Sequence, residues 1–134
     1  MEKIDLNVIS EFFENDKQLN LGKYPNIIIM EYGYTFIDNE FVLYLKGENG
    51  NNDFIKDFIG TNNEAHFYKF ARNGRHIIGN GTVKILETEE EKINGLKIII
   101  KQQIGNNNGL TFDENEVNNL EIVTILVENY SIVN

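Results

Sequence analysis

The sequence predicts a mainly β (α+β) fold: an antiparallel barrel, closed or split, with helices packed on it. Three observations carry that expectation. Two pairs of apolar segments face each other across turn dipeptides, Asp38-Asn39 and Asn73-Gly74, and so read as hairpins. The predicted order is helix, hairpin, short helix, hairpin, long helix, strand, so strands outnumber long helices. Strands also come in adjacent pairs rather than alternating singly with helices, which argues against a doubly wound parallel sheet.

Taken in order, residues 5–14 form the first predicted helix. Asp5 caps it, and Leu6, Ile9, Phe12 and Phe13 share one face. A short strand follows over Gln18–Leu21. Pro25 opens a strong strand from Asn26 to Phe36, whose Ile-rich start is apolar on both faces and predicts a central strand. Asp38-Asn39 turns the chain into a returning strand, Glu40 to Gly47. After a loop over 48–52, Phe54, Ile55, Phe58 and Ile59 form the apolar stripe of a short helix from Asp53 to Ile59, ended by Gly60.

Ala65–Ala71 and Arg75–Glu87 form the second hairpin. Gly79 and Gly81 inside its second strand predict a bulge, a bend or the close approach of another group. The helix over about 89–104 has the clearest start, with Thr88 and Glu91 in capping-box spacing and three glutamates at the positive end of the dipole. Ile93, Leu96, Ile99, Ile100 and Ile104 supply its apolar face. Thr111 and Glu114 repeat the capping pattern before a short helix ending near Leu120, and an apolar strand, Glu121 to Tyr130, closes the chain.

Length and charge narrow the function. The 134 residues suit a single domain over 1–134, with no visible linker or repeat. Twelve Lys+Arg against 21 Asp+Glu give a formal charge of -9, which argues against general binding to nucleic acid or to an anionic membrane. With no cysteine, disulfides, thiolate zinc sites and thiol nucleophiles are excluded. The longest apolar run, Ile27 to Met30, is too short to span a bilayer, and the N-terminus lacks the apolar run of a secretory leader. A cytoplasmic protein is the expectation.

The familiar catalytic patterns are missing. Gly79-Asn80-Gly81 lies within a predicted strand and lacks the third glycine of a dinucleotide loop. His66 and His76 fall on neighbouring strands and read as locally bonded strand histidines rather than as a metal pair. The acidic run Glu87 to Glu91 reads as a solvated helix start. Residues 49–53 lack the alternating ligands and distal Glu of a calcium loop. Neither serine, Ser10 or Ser131, sits in a nucleophile elbow. No metal site and no catalytic residue are assigned, so an enzyme built on this chain needs a cofactor for its chemistry.

Pro25 to Tyr34 resembles the strand of pyridoxamine 5′-phosphate oxidase-like proteins that begins with proline and ends aromatic-Gly-aromatic, here Tyr32-Gly33-Tyr34. Its nitroimidazole-resistance (Nim-like) branch is the nearest match. Val42 to Asn52 is similar to that branch's next strand and phosphate loop, and Arg75 to Val83 to its G-x-G strand, followed by an acidic helix start. The motifs are individually short, and their order and spacing carry the resemblance from about residue 6 to 130.

The resemblance implies an antiparallel split β-barrel, a homodimer, and FMN held between subunits. It implies an oxidoreductase acting on a small acceptor. By position it places Ile28, Ile29, Met30 and Glu31 along the flavin ring, Leu45, Lys46, Gly47, Gly50, Asn51 and Asn52 near the phosphate, and His76 and Ile77 near the ring or ribityl chain. The branch's histidine falls on Leu45 and its basic pair on Asn51 and Asn52. A flavin-free relative that binds another small ligand, or acts as an interaction module, is therefore the alternative. Tyr32, Tyr34 and Tyr44 fit core, interface or ring-stacking roles equally.

Overall fold

A computed structural model describes residues 5–14, 16–23, 26–47, 63–70, 74–106 and 109–133, apart from the side chains at 6, 8, 23 and 26. The elements are α1 (Leu6–Phe13), β1 (Gln18–Lys23), β2 (Asn26–Ile37), β3 (Glu40–Lys46), β4 (Glu64–Phe70), β5 (His76–Ile85), α2 (Glu89–Ile104), α3 (Glu114–Asn118) and β6 (Ile122–Val133). The six strands close into one barrel in the order β1-β2-β3-β6-β5-β4, and every pairing is antiparallel. Closure pairs the edges that an open sheet of this size would leave to other chains. The expected helix over Asp53–Ile59 lies outside the described residues.

The 12-residue β2 supplies two walls of the barrel. Its first half pairs with β1, from Lys23↔Asn26 to Gln18↔Glu31, and its second half pairs with β3, from Tyr32↔Leu45 to Ile37↔Glu40. Asp38 and Asn39 both have positive φ, 53° and 64°, as a two-residue turn matched to strand twist requires. As expected of a central strand, β2 is paired on both sides, by β1 and β3, but its Ile-rich start is not buried on both faces. Alternation sends Ile28 and Met30 against the core, whereas Ile27 and Ile29 face outward and are exposed.

The barrel is filled from within and plugged at one end. Tyr32, Phe41, Leu43, Leu45, Phe67, Ile77 and Ile125 are buried inside it. Helix α1 inserts Ile9, Phe12 and Phe13 into the same core, and the Phe13 ring lies 5.0 Å from Phe41 and 5.9 Å from Tyr32. At this end Lys69 turns inward from β4 and meets Asp16 at 2.6 Å, which neutralises a charge that burial would otherwise penalise.

Helix α2 packs on the outside of β2. Gly33 permits the approach, since a Cβ there would lie 2.6 Å from the Ile98 carbonyl oxygen. The Thr88 capping box forms with both of its reciprocal bonds, and Gly105 ends the helix at φ 103°. Of the expected apolar face, Leu96 and Ile99 are buried, while Ile104 in the last turn is exposed. The second cap is corrected: Asp113, not Thr111, accepts from the Asn115 and Glu116 N–H groups, because the helix begins at Glu114 itself.

The glycines of β5 behave as their pattern implies. The register shifts between Asn80 and Gly81, where Asn80 pairs with Asn129 and Gly81 with Val127, leaving Glu128 as the extra residue. A side chain at Gly79 would strike the Phe67 ring, and one at Gly81 the Leu126 backbone. Among the described residues no helix is long and apolar enough to cross a membrane.

Candidate functional site

The alternation that fills the barrel also builds a continuous outer face. One cross-strand row runs Ile29, Asn20, Tyr68, Ile78, Ser131 over β2, β1, β4, β5 and β6. A second row runs Phe70, His76, Val133. Ile29 is 64% exposed, Phe70 51% and Ile78 43%, with Ile27 and Val133 also open to solvent. Strands that fill a core on one side normally present polar residues on the other, so this largely apolar outer face is the candidate binding surface.

Aromatic groups give the face a planar texture. The rings of Tyr68 and Phe70 meet edge to face at 4.7 Å, and the His76 ring lies 5.2 Å from Tyr68 and 5.5 Å from Phe70. Such edge contacts leave ring faces free to stack on a flat ligand. Polar residues border the cluster. His66 Nε2 lies 2.9 Å from Glu64 Oε1, and the next row pairs His66 with Asn80, whose side-chain oxygen accepts from Asn129.

Beyond Ile29 the face meets a polar pocket of about 460 Å³, lined by Asp16, Lys17, Gln18, Glu31, Lys69 and Gln103. Lys69 is committed there to Asp16, and Gln103 donates to the carbonyls of Lys17 and Tyr32 at 2.8 and 3.1 Å. Glu31 stands exposed at the rim, opposite Gln18. Arg75, just before β5, pairs with Glu11 at 2.6 Å and lies 5.9 Å from the Phe12 ring centre.

The residues assigned by resemblance separate by face. Ile29, Glu31 and His76 stand on the outer face, within the rows just described. Ile28 and Met30 pack toward the core, and Leu45 and Ile77 are fully buried in it, so these four meet an outside ligand through main chain alone. Lys46 is exposed at the end of β3, and the N–H of buried Gly47 donates to the Glu121 carbonyl at 2.9 Å. Gly50, Asn51 and Asn52 lie outside the described residues. His66 and His76 sit four positions apart on adjacent strands rather than opposite each other.

Sequence reasoning passed over Tyr68, Phe70 and Ile78. The signal was present in Glu64–Phe70, where every second residue from His66 is aromatic, but it registered only as strand propensity. Of the three tyrosines considered, Tyr32 is buried in the core and Tyr34 packs against it. Burial raises both phenols above their ordinary range, with the Asp16 charge adding to the effect at Tyr32 and the Glu14 charge at Tyr34. Both stay protonated, and the Tyr32 hydroxyl donates to the Phe13 carbonyl. Among the described residues no three His, Asp or Glu side chains gather as a metal site.

No protein-family model matches the sequence, and no curated protein is similar enough to match it. Solved structures do match in fold. A NimC/NimA family protein from Clostridium acetobutylicum superposes with TM-score 0.61 at 16% identity, covering 96% of this chain and 87% of that one. The FAD binding protein from Mycobacterium smegmatis gives 0.64 at 9% identity, covering 97% and 94%. The flavocytochrome Anf3 from Azotobacter vinelandii gives 0.71 at 11% identity, covering 96% and 66%. At these identities the likeness is one of fold, and in fold this chain is a split β-barrel like those three proteins.

Proposed function

We propose that this protein binds a flavin, FMN in the first place, against the outer face of its barrel, and serves as an oxidoreductase for a small acceptor. One observation carries the reading: Ile29 of β2, Tyr68 and Phe70 of β4, and Ile78 and His76 of β5 form an outward-facing apolar and aromatic surface. The fold is shared with proteins named as flavin-binding, which supports the choice of ligand.

The surface suits an isoalloxazine ring. Ile29 and Ile78 offer apolar contact, Tyr68 and Phe70 offer stacking, and His76 offers a ring nitrogen to a carbonyl or ring nitrogen of the flavin. A bound flavin supplies hydride or electron transfer; the chain supplies binding, orientation and exclusion of water. Glu31 and the polar pocket beside it face the same edge and give a polar second reactant a place to approach. A second copy of the chain covering this face completes the proposal, since it would bury Ile27, Phe70 and Val133 and enclose the ring. A cytoplasmic setting, where a reduced nicotinamide donor is at hand, agrees with a chain free of cysteine.

The test is titration of purified protein with FMN, followed by absorption and flavin fluorescence, with FAD in parallel. Saturable changes with micromolar or tighter affinity for FMN support the reading. Folded protein that leaves the flavin signal unchanged overturns it and leaves the flavin-free alternative.

A further inference from the structure

The register slip at Asn80/Gly81 divides the outside of β5 and β6. Residues on the far side of it floor a second cavity, distinct from the flavin surface. Two rows form that floor, Val42–Leu126–Thr82 and Tyr44–Thr124–Lys84 over β3, β6 and β5. Helix α2 supplies one wall through Glu91 and Asn94, and Leu86 and Glu40 complete the lining. The cavity holds about 510 Å³, within the roughly 300–1,000 Å³ usual for small-molecule sites.

Thr124 gives the groove its chemistry. It is only 9% exposed, and among the described residues its hydroxyl makes one hydrogen bond, to the Lys84 carbonyl at 3.5 Å, the outer limit for such a bond. A buried hydroxyl so poorly paired wants a partner, and this one lines the cavity. The charges point to what the partner is. Lys84 Nζ is held by Glu91 at 3.3 Å, and Thr82 donates to Glu128. Glu40 has no ionic partner among the described residues. An anion would therefore meet carboxylates on two sides and one already-paired ammonium. The Tyr44 ring, Val42 and Leu126 offer apolar contact for a flat skeleton.

We infer that this groove is a second small-molecule site, which takes an uncharged one- or two-ring molecule bearing a hydroxyl or carbonyl group that pairs with Thr124. It does not depend on the flavin proposal, because no residue is shared between the two surfaces.

Isotope-labelled protein titrated with 4-hydroxybenzamide, and separately with 4-hydroxybenzoate, tests it by amide chemical shifts. The neutral probe should move Thr82, Thr124 and Leu126 in a saturable way, and the anionic probe should bind at least about fivefold more weakly. Thr124→Val keeps the β-branched shape and should weaken the neutral probe about five- to tenfold. Leu126→Lys, at an exposed floor position, should abolish the shifts while the spectrum stays that of folded protein. Equal binding of both probes, affinity unaltered in Thr124→Val, shifts confined to Ile29, Tyr68 and Ile78, or no shift up to the solubility limit would each overturn the inference.

Discussion

The Tyr32 hydroxyl and the Gln102 side-chain amide converge on a single acceptor, the Phe13 carbonyl, at 2.9 and 2.8 Å. One donor comes from the barrel wall and the other from α2, and the acceptor ends the helix that plugs the barrel. Three elements distant in sequence are thus joined at one oxygen. The Asp16 N–H reaches the same carbonyl at 3.4 Å, too long to replace either. Gln102 also donates to the Asp16 carbonyl, and Gln103 to that of Lys17, so α2 fastens the α1–β1 connection along its length.

Tyr32→Phe removes one of the two good donors and should cost about 1 kcal/mol. Gln102→Leu should cost somewhat more, because the Asp16 carbonyl also loses its bond. The double variant leaves the buried Phe13 carbonyl with only the long Asp16 N–H contact, so its cost should exceed the sum of the singles. Urea unfolding of the four proteins measures the coupling, and strict additivity would show that the shared acceptor contributes nothing of its own.

Gly33→Ala should destabilise by about 1–3 kcal/mol, as overpacking generally does. The new methyl would sit 2.6 Å from the Ile98 carbonyl oxygen and 2.8 Å from Ile99 Cα, both helix backbone that cannot rotate away. Thermal melts should show a lowered midpoint, while Gly109→Ala, with open space but φ 71°, shows only the smaller cost of a left-handed residue.

The contrast between Gly33 and Gly79 shows what the sequence could reveal. Gly79 and Gly81 interrupt an apolar alternation, so a bulge or close approach was legible there, and both occur. Gly33 lies between two tyrosines and yields no local sign that a helix some 65 residues later will rest on it. The outer face was legible only in part for the same reason. Ile27 and Ile29 are as apolar as Ile28, and sequence alone does not say which side of a strand meets water. That Ile29, Tyr68 and Ile78 fall in one row depends on how β1 joins β2 to β4, a long-range pairing with no local trace.

The α2 cap makes stability depend on acid. Glu91 accepts from the Thr88 hydroxyl at 3.0 Å and stands 3.3 Å from Lys84 Nζ. These contacts, Thr88 first, hold its carboxyl below the ordinary range. A carboxyl lowered by folding stabilises above its unfolded pKa and loses that contribution as pH falls through the folded value. Glu91→Gln should therefore melt below the wild type at pH 7, and the gap should be smaller at about pH 3. Melts that stay equally separated at both values would place the effect in packing rather than charge.

Ile29→Glu isolates the outer face from the barrel. The side chain is 64% exposed, so the fold should tolerate the change within about 0.5 kcal/mol. A carboxylate in the middle of the Ile29–Tyr68–Ile78 row would have to be desolvated under any ring or second chain laid on that face. It would also repel an anionic cofactor already facing a chain of net charge -9. FMN affinity should fall at least about tenfold, a loss of about 1.4 kcal/mol, and light scattering should show the proposed dimer weakened relative to the parent protein. Phe70→Ala separates the two effects. It removes a stacking ring from the cluster with Tyr68 and His76 without adding charge, so it should weaken FMN more than it weakens pairing. Variants that keep full FMN affinity would move the flavin off this face, whatever their state of association.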